Sequence, residues 1–122
     1  MDGTDGYNRG AVKGRVNKPA HATGENGMSD KRTVRLHAIV HGDVQGVNFR
    51  STTQREAVRR GLTGWVCNRW DGTVETVAEG PPEAVEQFEA YLHRGPSAAY
   101  VTEVDVTYRD ATGEFRAFNI RY

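Results

Sequence analysis

Between Val34 and Ala57 the spacing of apolar residues changes from two to four across a glycine-bearing loop. In VRLHAIVH, every second residue (Val34, Leu36, Ala38, Val40) belongs to one apolar face, as in a strand buried on that side. In NFRSTTQREAVRRG, Phe49, Thr53 and Ala57 recur at every fourth position, one stripe of a helix that Gly61 is placed to end at C′. The connection between them, GDVQGVN, spans only Gly42 to Asn48. A strand feeding a helix through so short a loop must send the chain back across a sheet, and few topologies allow it.

The remaining elements narrow the choice. LTGWVCN and GTVETVAEG read as two strands joined through RWDG, whose Asp71-Gly72 is a hairpin signal. Pro81 and Pro82 open a second helix striped by Val85, Phe88 and Leu92, and RGP at 94–96 closes it. YVTEVDVTYR and FRAFNIRY are β-like runs about a turn at ATGE. The order β, α, β, β, α, β, with a last strand left open, is that of an α+β ferredoxin-like βαββαβ sandwich. An antiparallel sheet with two helices on one face is expected. The first two strands of that fold run in the same direction, so their C-terminal ends share one edge. The loop at 42–48 and Asn68 become neighbours there.

Composition limits what such a domain can do. The 122 residues hold 16 Lys plus Arg and 16 Asp plus Glu, so no global field draws the chain to nucleic acid or an anionic membrane. A single cysteine, Cys67, leaves no internal disulfide, and no apolar run approaches the roughly 18 residues of a membrane span. A cytoplasmic monomer is the expectation. Residues 1–32 hold six glycines and few large apolar side chains, and they read as a disordered N-terminal extension to a folded domain at 33–122. With six basic residues against four acidic ones the extension is +2, and the remainder, with ten against twelve, is −2. It lacks the apolar stretch of a signal peptide, and its acidic residues disfavour a mitochondrial transit sequence. Met28, ahead of SDKRTVRLH, would make a natural start.

The glycine loop has its own chemistry. Successive backbone N–H groups turned inward, ahead of the positive end of a helix, form a concavity suited to a tetrahedral oxyanion such as phosphate. Gly42 and Gly46 allow backbone angles that a Cβ would obstruct, Val44 and Val47 can anchor the loop by burial, and Arg50 can present two donors to phosphate oxygens. No Gly-Lys-Ser/Thr follows, so it is not a Walker loop, nor is it the dinucleotide fingerprint. Asn68, with one amide donor and one acceptor, can hold and orient a water. The plainer readings are a simple turn before a helix and a strand-end turn cap.

GDVQGVNFR and GLTGWVCNRWDGTVE, followed by AEGPPEAVEQFEAYLHRGP, resemble the acylphosphatase family in order and spacing, and the resemblance spans Val34 to Tyr122. It implies a hydrolase that cleaves the carboxyl–phosphate bond of acyl phosphates to a carboxylate and inorganic phosphate, with no cofactor or metal. By that resemblance Arg50 is the phosphate-binding catalytic arginine, and Asn68 positions the nucleophilic water. Val44, Gln45, Gly46, Val47, Asn48 and Phe49 form, with Arg50, the phosphate cradle. The partners implied are a small-molecule acyl phosphate and product phosphate, without nucleic acid or membrane. Two residues depart from the pattern: Asn48, where many relatives carry glycine or an aromatic residue, and Cys67, where arginine or glutamine is frequent. Cys67 should face away from Asn68 and serve as a small packed hydrophobe.

Other polar residues suggest less. His37 and His41 share one strand face about 13 Å apart, too far to bind one metal, and are expected on the solvent side. His93 suits the negative end of its helix, and Glu83, Glu86 and Glu89 read as a solvated face near a helix start. The aromatics Trp65, Trp70, Tyr91, Tyr100, Tyr108, Phe115 and Phe118 raise the alternative of an RNA-binding ferredoxin-like module, although the RNA-recognition signature is missing. A noncatalytic phosphate-sensing or interaction domain is the other alternative.

Overall fold

The computed structural model describes residues 16–17 and 32–122; the other positions assigned to the N-terminal extension, Met28 among them, lie outside the described residues. The element order is β1 (Val16–Asn17), β2 (Val34–Asp43), α1 (Phe49–Arg59), β3 (Thr63–Asn68), β4 (Val74–Gly80), α2 (Pro82–Arg94), β5 (Tyr100–Asp110) and β6 (Phe118–Arg121). They build one sheet in the order β1-β5-β2-β4-β3-β6.

The alternation in β2 becomes burial: Val34, Leu36, Ala38 and Val40 are at most 1% exposed and face the helices. On α1 the buried residues are Phe49, Thr53 and Ala57, and on α2 Val85, Phe88 and Leu92 join them in a single core. Each large apolar side chain buried in this way contributes about 1.5–3 kcal/mol. The end of α1 is a Schellman turn at Gly61, in which the Gly61 N–H donates to the Val58 carbonyl (3.0 Å) and the Leu62 N–H to the Ala57 carbonyl (2.9 Å). Leu62 is thereby drawn into the core at 3% exposure.

The sheet is mixed, not antiparallel throughout. β2 pairs antiparallel with β4 and β5, and β4 with β3, but β6 lies parallel to β3, with Gly64 opposite Phe118 and Cys67 opposite Arg121. The two-residue β1 is parallel to β5. β5 already occupies the place beside β2, so the chain from 111 to 117 crosses the end of the sheet to the free side of β3. There it must run parallel to its neighbour. β6 is thus the last strand that the sequence left open.

The uncovered face carries Arg35, His37, Glu75, Cys67, Asp105 and Arg121. His37 meets Glu75 at 2.7 Å and His41 meets Asp105 at 3.1 Å, both on the solvent side as expected. Glu89 departs from the solvated-face reading: it is 4% exposed and accepts from the Tyr108 hydroxyl at 2.7 Å and pairs with His93 at 3.2 Å. Its place one turn before His93 on the sheet-facing side of α2 decides this, not its charge.

Candidate functional site

Antiparallel β4 between β2 and β3 makes the outer two run in the same direction, and the C-terminal ends of β2 and β3 meet at one edge. Val74 pairs with Val40 on one side and with Asn68 on the other. Beyond Val40 the register of β2 with β5 shifts at His41/Gly42, a bulge that lifts the chain off β4 and starts the loop. Gly42 has φ +126°, and a Cβ there would lie 2.0 Å from the Tyr100 carbonyl oxygen, so only glycine passes this point.

The loop then alternates in hand. Gly46 has φ +79° and Asn48, just before α1, φ 63°. Asparagine is among the few side chains that tolerate the left-handed region, which accounts for its presence where a glycine would also fit. The Asn48 side chain does not cap the helix; the Asn48 backbone carbonyl accepts from the Thr52 N–H (3.0 Å) and the Ser51 hydroxyl (3.2 Å). Among the described residues, no protein acceptor receives the N–H groups from Gln45 to Ser51. Val44, 1% exposed, and Val47 pin the loop to the core from below.

Above it lies a cavity of about 240 Å³ lined by Val44, Gly46, Asn48, Phe49, Arg50, Ser51, Asn68, Ile120 and Tyr122. Arg50 and Asn68 therefore open on the same space. The Arg50 guanidinium has no ion-pair partner among the described residues; it sits 4.7 Å from the centre of the Tyr122 ring, and one Nη lies 3.5 Å from the Arg121 carbonyl. The Asn68 side-chain oxygen is buried and, among the described residues, accepts no hydrogen bond. A buried amide oxygen of this kind needs a donor, and the cavity is where one can enter.

Not every cradle residue faces this space. Gln45 and Val47 alternate away from it, Val47 into the core and Gln45 toward the β3–β4 hairpin, where its amide donates to the Arg69 and Thr73 carbonyls. Ser51 and Ile120 add to the expected set, and Tyr122 brings the C-terminal run to the arginine, an approach that the sequence alone does not place. Ser51 follows Arg50 in the first turn of α1, a clue available from spacing, whereas Ile120 and Tyr122 arrive only through the parallel docking of β6.

Cys67 is half-buried on the opposite face from Asn68, beside Glu75 and opposite Arg121, and its thiol is pushed up first by burial and then by the Glu75 charge. That environment keeps it a thiol, in line with a packing role. Among the described residues, no three His, Cys, Asp or Glu side chains gather where they could hold a metal ion, and no helix is long and apolar enough to cross a membrane.

The acylphosphatase family model matches residues 36–120, taking in the loop, Asn68 and both helices. The chain belongs to the acylphosphatase family. It is 50% identical over 88 residues to the acylphosphatase of Pelotomaculum thermopropionicum, covering 72% of this chain and 96% of that one. With the Aeropyrum pernix acylphosphatase it shares 50% identity over 90 residues, 73% and 89% of the two chains. The crystal structure of acylphosphatase from Bacillus subtilis superposes with a TM-score of 0.70 at 42% identity, over 73% of this chain and 99% of that one. The family model thus covers the loop, the sheet that carries it and both helices.

Proposed function

We propose that this chain hydrolyses acyl phosphates to a carboxylate and inorganic phosphate, with the phosphoryl group seated over residues 44–50. The observation that carries the reading is a run of N–H groups that, among the described residues, have no protein acceptors, closed by an arginine without an ion-pair partner there and faced by an asparagine oxygen that lacks a donor. An anion answers the first two, and a water answers the third.

The chemistry asks for little else. In water attack on phosphorus the P–O bond to the acyl group breaks and its electron pair leaves on a carboxylate, which is stable without protonation. From a dianionic acyl phosphate and water the products are a carboxylate and dihydrogen phosphate, so the water's proton ends on a phosphate oxygen and no separate base is required. Arg50 and the loop N–H groups neutralise charge on the equatorial oxygens, while Asn68 aims the water in line. The reaction so drawn uses no metal, and a cytoplasmic monomer acting on a small-molecule substrate fits this edge of the sheet. The anion-binding cradle sits apart from the sheet face on which an RNA-binding module would stack bases, which leaves phosphate sensing without turnover as the competing reading.

The test is benzoyl phosphate hydrolysis by chelator-treated protein beside Arg50→Ala. Turnover that survives the chelator and falls about a hundredfold or more in the variant is expected. Binding of inorganic phosphate without turnover in either protein would favour the sensing reading.

A further inference from the structure

The two halves of the site belong to different parts of the chain, and little joins them. The β2–β4 ladder ends at Val40 opposite Val74, and past the bulge at Gly42 the loop pairs with β5 alone. On the other side, the hairpin between β3 and β4 closes on itself: the Arg69 N–H donates to the Thr73 carbonyl (2.8 Å) and the Gly72 N–H to the Arg69 carbonyl (3.1 Å). Among the described residues, no backbone hydrogen bond runs from the loop at 44–48 to the hairpin at 69–73.

One side chain crosses the gap. The Gln45 amide nitrogen donates to the Arg69 carbonyl at 2.7 Å and to the Thr73 carbonyl at 2.9 Å, using both of its hydrogens in a half-buried setting. These two carbonyls flank the hairpin's mouth, and Arg69 is bonded in sequence to Asn68. The side chain points away from the phosphate cavity, so it cannot touch the phosphoryl group. What it fixes is the height of the Asn68 end of β3 over the loop.

Resting on the reading of Asn68 as the water's holder, we infer that Gln45 is a positioning residue that sets the distance between that water and the phosphoryl group. Its effect passes through Asn68 and leaves the affinity of the loop for phosphate to the backbone and Arg50. Replacing the amide by a carboxylate turns two donors into acceptors facing two carbonyls, and replacing it by methionine deletes both bonds while keeping the length. Either lets the hairpin lift, and a displacement of about 1 Å is enough to cost roughly a hundredfold in rate.

The experiment is a pair of cycles: Gln45→Met and Gln45→Glu, each in the wild-type and the Asn68→Ala backgrounds, with kcat for benzoyl phosphate and the inhibition constant of inorganic phosphate measured for all. The expected result is a kcat lowered about tenfold to a hundredfold in the wild-type background. Under Asn68→Ala the further loss should stay within about threefold, and the phosphate constant should move by no more than about threefold throughout. Equal losses in both backgrounds, or a phosphate constant rising in step with the fall in kcat, would overturn the inference. If Asn68→Ala leaves too little turnover to compare, the NMR signal of the Asn68 side-chain amide, identified by its disappearance in that variant, decides. Coupling requires that signal to shift in both Gln45 variants, and an unmoved signal rejects it. Full turnover in Asn68→Ala would strike the assignment of the water's holder itself, an outcome separate from a failed coupling.

Discussion

The two ends of the sheet solve the same steric problem and finish differently. At the end away from the cavity, the connection from β5 to β6 turns through Gly113 at φ +75° and wraps around Glu79, which is 4% exposed. One oxygen of that carboxylate accepts from the Thr112 N–H (2.9 Å), the other from the Gly113 N–H (3.0 Å), and Arg35 stands 3.5 Å away. At the other end, Gly46 and Asn48 turn the chain in the same left-handed way and Arg50 stands by, but no carboxylate of the described residues fills the loop. One loop holds an anion that is part of its own chain; the other, on the proposed reading, takes an anion that arrives and leaves. A catalytic cradle is, in this view, a structural anion nest whose occupant has been left out, and its N–H groups are kept in place by Val44, Val47 and α1 instead.

Filling the open nest should produce the largest effect. Saturating inorganic phosphate should raise the melting temperature of the wild-type protein, since a ligand at about a hundred times its dissociation constant adds about 2.7 kcal/mol. In Arg50→Ala that rise should largely vanish, because the one charged side chain lining the cavity among the described residues is gone. Differential scanning fluorimetry with and without phosphate checks it. An undiminished shift in the variant would mean that phosphate binds elsewhere.

Emptying the closed nest comes next. Glu79→Gln sets an NH₂ group against donors that the lost oxygen served, and a buried donor left without an acceptor costs about 1–3 kcal/mol. For a domain of this size that corresponds to a drop in melting temperature of roughly 4–8 °C per kcal/mol. Turnover per folded molecule should be unaffected, as Glu79 lies at the opposite end of β4 from Val74, which pairs with Asn68.

A matched pair of glycines sharpens the contrast. Gly46 and Gly113 have nearly the same φ, +79° and +75°, and in neither place would a Cβ meet any atom within 4 Å. Alanine at either position therefore incurs only the left-handed penalty, about 1–2 kcal/mol. Gly46→Ala and Gly113→Ala should lose comparable stability on thermal melting, yet only Gly46→Ala should weaken inhibition by phosphate. A similar effect of Gly113→Ala on phosphate would show that the ends are not independent.

The open loop of this contrast is legible in the sequence, the closed nest is not, and the difference has physical reasons. Val34 to Val40 and Phe49 to Ala57 declared their faces because each pattern is local, and the glycines with Arg50 marked an anion loop because backbone conformation and charge are written in the residues themselves. Partners from distant elements were another matter. The four residues of β6 read as a strand, but nothing in them says that they pair with β3, so Ile120 and Tyr122 could not be placed in the cavity. Glu89 looks like any helical glutamate until Tyr108 of β5 is set beside it. Gln45 belongs to the cradle by the family resemblance, while its side chain serves the hairpin, because residues in an alternating loop point opposite ways.

The smallest expected effect concerns an exposed carboxylate at each end. In the hairpin, Asp71 accepts from the Thr73 hydroxyl at 2.7 Å and N–H at 3.0 Å, bonds that hold its carboxyl below the ordinary range. In the far loop, Glu114 is lowered likewise, first by the Thr112 hydroxyl bond at 2.7 Å and then with help from Arg35. A carboxyl whose pKa is lower folded than unfolded adds stability that is complete above the unfolded value, about 4, and is lost as pH falls through the folded one. Asp71→Asn and Glu114→Gln should therefore each lose that increment at pH 7, where it is complete, and match the wild type at the most acid pH, which flattens slightly the acid limb of melting temperature against pH. Both side chains are in solvent, so the flattening should be small. The two variants should part company in kinetics. Asp71 shapes the hairpin that Gln45 holds and that carries Asn68, so its loss should lower kcat modestly at pH 5 to 7, whereas Glu114→Gln should leave kcat alone. Equal kinetics in the two variants would mean that the hairpin keeps its shape without the carboxylate, and that Gln45 alone holds it over the loop.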